Sequence, residues 1–212
     1  MSLSPEVGIL SNNPDSDDIE YWRVAFGKMN EVLSELGLPN HIESETLPDF
    51  KSRSQILGFP YGAIHHLRRF YAYAKNVPGW TPTPVPPFDE PWMDPVVEDE
   101  ASMLESHLIC HSDTEGFYLP IDFKKIVIDK SGRNRIPGEL LGSSHQLHRE
   151  LVSIAGPLGI RLDGDQLSDA EADQVNSRCD RNDPFATELM VWLCLFEACR
   201  ISVELRTAVV LC

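Results

Sequence analysis

Cations are scarce in this sequence. Its 212 residues hold 18 Lys and Arg against 33 Asp and Glu, a formal net charge of −15. A surface of that balance repels a phosphate backbone, so the reading is no nucleic acid and a basic protein partner. Long apolar runs are missing too. The longest uncharged apolar run, Leu189 to Phe196, stops at Glu197, well short of the ~20 residues that cross a bilayer, and no membrane role is expected. Met1 to Leu10 has no basic start, so no secretory leader is expected and the inferred location is cytoplasmic. Cysteine is odd in number and lacks a C-x-x-C: Cys110, Cys179, Cys194, Cys199 and Cys212 read as reduced thiols. No G-x-S-x-G elbow, Walker A loop or strand-borne G-x-G-x-x-G turn occurs. The sequence therefore names no cofactor and leaves open whether the protein is an enzyme.

What is present is a globular composition, 42% hydrophobic and 8% aromatic. A chain this long buries ~70% of its unfolded surface, enough for one sizeable core. Val7 to Leu10 reads as a short strand. The acidic cluster from Asp15 to Glu20 suits a helix start, where carboxylates offset the macrodipole, and Asp17 with Glu20 has the spacing of a cap. Ile19, Trp22, Phe26, Met29, Leu33 and Leu36 recur at helical steps until Gly37. Residues 38–59 look irregular. A second helix from near Pro60 carries the stripe Ile64, Leu67, Phe70, Tyr71 and Ala74. Between Val77 and Val97 lie Pro78, Pro82, Pro84, Pro86, Pro87, Pro91 and Pro95. This segment is expected to be an ordered strap anchored by Trp80, Phe88 and Trp92, because three exposed aromatics would make an apolar patch.

After Glu98-Asp99-Glu100 the period changes to two. His107–His111 and Phe117–Phe123 read as strands joined by the turn residues Ser112 to Gly116, with Lys125–Ile128 as a third. Further helices open at Gly142, at the capping box Ser168 to Glu171, and at Asn182, the last running to about Arg206; Ala208 to Leu211 is a closing strand. The expected class is α+β: a small antiparallel sheet packed against the first helix, the His66 helix and the final helix. The expected unit is one domain over 1–212, with 1–77, 78–97 and 98–212 as its parts.

The segment His107 to Gly116 is where chemistry is most suggested. On a strand His107, His111 and Asp113 share a face, and two imidazoles with a carboxylate can bind a metal or move a proton, with Glu115 as a base. The competing reading is that Ser112, Asp113 and Gly116 are turn residues and the histidines meet neighbours. His145 and His148, three apart on a helix, share a face and could add ligands, though a solvated face explains them as well. Asp163-Gly164-Asp165 resembles a calcium loop only superficially, since no spaced ligand series follows. Lys124, Lys125, Lys130, Arg133 and Arg135 form the basic stretch, read as solvated hairpin residues or as an anion or subunit contact.

The stretches Gly58-Phe-Pro-Tyr61, His66-Leu-Arg-Arg-Phe70, Glu105 to Asp113, Glu115 to Pro120 and Trp192 to Ala198 resemble an uncharacterised bacterial family of about this length. The resemblance implies no catalytic role. Two functions compete. One is a non-enzymatic protein-binding protein, similar to the acidic immunity proteins that neutralise basic toxins. The other is a metal-dependent hydrolase using His107, His111 and Asp113.

Overall fold

The computed structural model describes residues 2–12, 18–86, 90–112, 114–181 and 183–212. In chain order its elements are β1 (Ser2–Leu3), β2 (Pro5–Val7), α1 (Ile9–Asn12), α2 (Ile19–Glu35), β3 (Phe59–Pro60), α3 (Ala63–Asn76), α4 (Pro95–Ser102), β4 (Gly116–Leu119), β5 (Val127–Ile128), β6 (Leu140–Ser143), α5 (Ser144–Ala155), β7 (Leu162–Asp163), β8 (Gln166–Leu167), α6 (Asp169–Asp180), α7 (Ala186–Leu205) and β9 (Val209–Leu211), with a 3-10 turn at Pro91–Met93. The class is α+β.

The main sheet has five strands in the order β2-β9-β4-β6-β5, so the expectation of a small antiparallel sheet is corrected. β4 and β6 are parallel, whereas the other neighbours are antiparallel. The chain leaves β4, reverses into the outer strand β5, and reverses again to fill the gap as β6; two reversals restore the direction.

Both faces of this sheet are covered. Side chains alternate across a strand. Phe117, Leu119, Leu141 and Val210 join Phe26, Met29 and Leu33 of α2 on one side. Tyr118, Val209 and Leu211 enter a larger core with α3, α5 and α7 on the other. A sheet buried on both faces needs continuous apolar strands, which is why Phe117-Tyr-Leu119 and Val209-Val-Leu211 show no polar alternation. α7 lies inside this core, with Leu189, Trp192, Leu193 and Phe196 sealed from solvent. The Trp192 indole N–H donates to the Leu151 carbonyl at 2.8 Å.

Local chemistry explains the helix boundaries. Gly37 adopts φ +70; its N–H donates to Ser34 and that of Leu38 to Leu33, closing α2 in a Schellman motif. Ser168 caps α6 by accepting the Glu171 N–H at 3.2 Å. Gly164 at φ +63 makes the tight turn between β7 and β8, so Asp163 and Asp165 belong to a hairpin. The strand expected at Val7–Leu10 falls at Pro5–Val7 (β2), after the short β1, because Gly8 at φ +74 turns the chain into α1.

His107–His111 is a turn, not a strand. The Glu150 carboxylate on α5 accepts the N–H groups of His107 (2.9 Å) and Leu108 (2.8 Å) and the Ser106 hydroxyl (3.2 Å), holding that backbone in a helical turn. In the Pro-rich segment Trp80 packs edge-on against Phe70 at 5.0 Å and meets Tyr73 at 5.4 Å. Trp92 lies beside His65 and stays half exposed. Phe88, the Asp15–Asp17 cap and Asn182 lie outside the described residues.

Candidate functional surface

The histidines that the sequence groups together are held by different parts of the fold. His107 is buried; its Nδ1 accepts the Ser143 N–H at 2.9 Å and its Nε2 donates to the Lys124 carbonyl at 3.2 Å. Burial pushes its pKa down to about 4. The His111 ring stacks on Tyr118 at 4.1 Å and its Nε2 donates to the Phe117 carbonyl at 3.0 Å. Burial lowers it to about 4 as well. A Cβ on Gly116 would sit 2.1 Å from the His111 ring, so that glycine gives the ring its place. Glu115 is exposed on the rim of a separate groove, with Tyr21, Val24 and Glu139. Asp113 lies outside the described residues.

His145 and His148 stand on α5 in a cleft of about 320 Å³ with Asp165, Arg200 and Glu204. His148 packs against Phe196 at 4.6 Å, and burial lowers its pKa. Among the described residues no group of three or more His, Cys, Asp or Glu is arranged to hold a metal ion.

The surface charge has a clearer organisation. Several arginines are turned inward as struts, and other cations are tied up in ion pairs nearer the surface. Arg68 is buried and donates to the carbonyls of Leu108 (2.8 Å) and His111 (2.5 Å). Arg53 and Arg200 bracket the Glu197 carboxylate at 2.5 and 3.0 Å. Arg135, from the basic stretch, is buried between Asp129 (2.9 Å) and Glu35 (2.7 Å). Lys75 is tied to Glu100 at 2.6 Å and Arg69 to Asp94 at 3.0 Å. Guanidinium suits such sites because its five donors satisfy several acceptors at once.

Glu43, Glu100, Glu171, Glu188 and Glu197 are buried, but many other carboxylates are left outside. No Lys or Arg occurs between Lys75 and Lys124, or between Arg161 and Arg178. In the second interval lie Asp169 and Asp173 of α6; Asp180 follows just outside it, between Arg178 and Arg181, and the three fall within about 40° of one another on the helix, all exposed. They form a row about 16 Å long, with steps of about 6 and 10 Å between charges. A single DNA strand carries one per ~3.4 Å of axis. Asp163 and Asp165, on the preceding hairpin, are exposed as well. Asp169 has a loose contact with Arg53 at 3.6 Å; among the described residues Asp173 and Asp180 have no ion pair. On α4 the exposed carboxylates are Glu98 and Asp99. Sequence reasoning used the acidity as a bulk quantity. The signal it passed over is the length of the intervals without a cation.

The sequence model of the family described as "Putative DNA-mimic protein" matches residues 1–211. No curated protein and no solved structure matches the chain. The family match corrects the expected partners, from which nucleic acid was excluded. Repulsion of phosphate argues only against binding DNA, and the same charge is what a substitute for DNA requires. No helix among the described residues is long and apolar enough to cross a membrane.

Proposed function

The chain belongs to the Putative DNA-mimic protein family, and on that premise we propose that it acts by binding a DNA-binding protein in place of DNA. The observation that carries this reading is the exposed α6 row, Asp169, Asp173 and Asp180, whose first two members lie in an interval without cations. Its carboxylates stand on one face of a helix, so they present charge in a line, at unequal steps of about 6 and 10 Å. The row is sparser than one strand, and Asp163 and Asp165 add charge beside it. Function here is recognition rather than catalysis, and an immunity-like role is the case in which the partner is a DNA-binding toxin. Binding by steering implies a fast association that slows as salt screens the field.

The experiment is capture from nuclease-treated native lysate at about 50 mM salt, where charge-driven contacts persist, followed by elution with duplex DNA. The expected eluate is a DNA-binding protein. If duplex DNA elutes nothing that binds nucleic acid, the reading fails.

A further inference from the structure

The charged rows explain steering, but carboxylates alone give little affinity once salt screens them. Affinity at protein interfaces comes from a few large side chains seated at the centre. We propose that α4, with the apolar pairs at its two ends, is the docking face for the cationic, DNA-binding surface of the partner. This rests on the DNA-mimic reading above and names a face, other than the α6 row, that supplies its affinity.

Trp92 and Met93 precede α4 and are 47% and 61% exposed; Met103 and Leu104 follow it and are each 49% exposed. Four large apolar side chains thus bracket one short helix. No large apolar side chain from residue 105 onward is exposed among the described residues, so the α6 row has charge and no anchor. Trp and Met are enriched at interface cores.

The helix between these pairs is a rigid platform. Val97 and Glu100 are buried, while Glu98, Asp99 and Ser102 face outward. Asp94 caps α4 through the Val96 N–H at 2.9 Å and is itself held by Arg69 and Tyr73 at 3.0 and 3.2 Å. Glu100 takes the Lys75 ammonium at 2.6 Å and the Asn76 amide at 2.8 Å. The inward carboxylates therefore occupy the cations of α3, and Glu98 and Asp99 have no ion pair among the described residues.

Leu104 has φ 53. A left-handed residue after a helix is ordinarily Gly, and any other side chain there is strained. Since Leu104 is half exposed, core packing does not account for the leucine. Met103 and Leu104 also line a groove of about 490 Å³ with Val32 and Leu36 of α2; its far wall carries Lys125, Lys130 and Arg135, so a cationic partner meets the Met103 and Leu104 side of it.

Charge selects the occupant. A second copy meeting this face across a twofold axis would set Glu98 and Asp99 against the same carboxylates. An anionic membrane surface would be repelled by a chain of net charge −15. A cationic protein surface gains from both the carboxylates and the apolar pairs.

The test is displacement of a fluorescent duplex from core histone octamer and from protamine, read by anisotropy at low salt. Wild type is expected to displace the duplex from at least one of them. Leu104→Gly combined with Met103→Ser should raise the half-displacing concentration at least about tenfold, as loss of an interface anchor does. Its melting temperature should not fall, because Gly accepts the left-handed backbone without strain. Asp169→Asn with Asp173→Asn should shift the concentration less than about threefold and mainly flatten the salt dependence. If the Leu104/Met103 variant is misfolded by circular dichroism, Trp92→Ser with Met93→Ser, at the other apolar pair, is judged by the same tenfold criterion. A folded α4 variant that displaces duplex as wild type does would overturn α4 as the docking face and leave the mimic reading standing. Wild type that displaces duplex from neither protein removes the mimic reading, and this inference with it.

Discussion

Glu197 lies within α7 with its carboxylate sealed from solvent between two guanidiniums. Arg53 donates to it from its backbone N–H (2.9 Å), Nε (3.0 Å) and a terminal nitrogen (2.5 Å). Arg200 adds bonds of 3.1 and 3.0 Å. This cluster ties the irregular segment around residue 53 to α7. It also directs most of the hydrogen bonding of two cations to Glu197, on the same groove as Asp169 and Asp173, leaving Arg53 only a loose contact with Asp169. In Glu197→Gln the shape survives, the charge is lost, and an amide NH₂ confronts a guanidinium. Removing one partner of a buried pair costs ~3–5 kcal/mol. Here both arginine side chains keep some solvent, at 19% and 26% exposure. Arg200 also retains Glu204 at 2.9 Å and the Lys51 carbonyl at 3.0 Å. The expected loss is therefore at the lower end, about 2–3 kcal/mol, read from urea titration at pH 7 with an unchanged slope.

The pH dependence of the same variant checks the cause. Burial alone would raise the Glu197 carboxyl, but hydrogen bonds from Arg53 and Arg200 outweigh it and hold it below its ordinary value. A carboxyl lowered on folding stabilises above its unfolded pKa, and that contribution is lost as pH falls through the folded one. The gap between wild type and Glu197→Gln should therefore narrow steadily below about pH 4. A loss under about 0.5 kcal/mol at pH 7, the range of an ordinary surface substitution, or a gap that stays constant into acid, would refute the reasoning.

Three further outcomes are expected. Leu193→Ala, at a fully buried position of α7, should cost about 2–5 kcal/mol in a denaturant titration; a cost near zero would mean the core lies elsewhere. Burial lowers His107 to about 4, so the unfolded chain gains a proton that the folded ring refuses; stability is full above the ordinary histidine pKa and falls by about 3 kcal/mol as pH drops toward 4. Imidazole NMR should show no His107 titration in the neutral range, and a midpoint in the ordinary range would contradict the buried site. We expect residues 78–95 to resist limited proteolysis, because Trp80 is packed on Phe70 and Tyr73; early cleavage there into two folded halves would show two domains.

Much of the helical framework was legible in the sequence, because a helix with one buried face writes a 3.6-residue period. The stripe from Ile19 to Leu36 and its stop at Gly37 reappear as α2 and its Schellman close. The Ser168 capping box reappears at α6. The sheet was harder to read, since strands buried on both faces lose their alternation. His107–His111 misled for a different reason. Its apolar and histidine alternation suits a strand, but Glu150, more than forty residues later in the chain, captures its N–H groups. Such a contact leaves no local trace. The surface was half legible: the net charge stands in the sequence, whereas the inward turn of Arg53, Arg68, Arg135 and Arg200 appears only in the fold.

The measurement closest to the central claim is whether the partner can hold duplex DNA and this protein at once. Sedimentation velocity of the three components, mixed at equal concentration and low salt, separates the species directly. Mutually exclusive binding is predicted: a DNA–partner complex and a protein–partner complex, with no boundary heavier than either. A stable ternary complex would contradict the account, because a mimic occupies the place where the DNA lies.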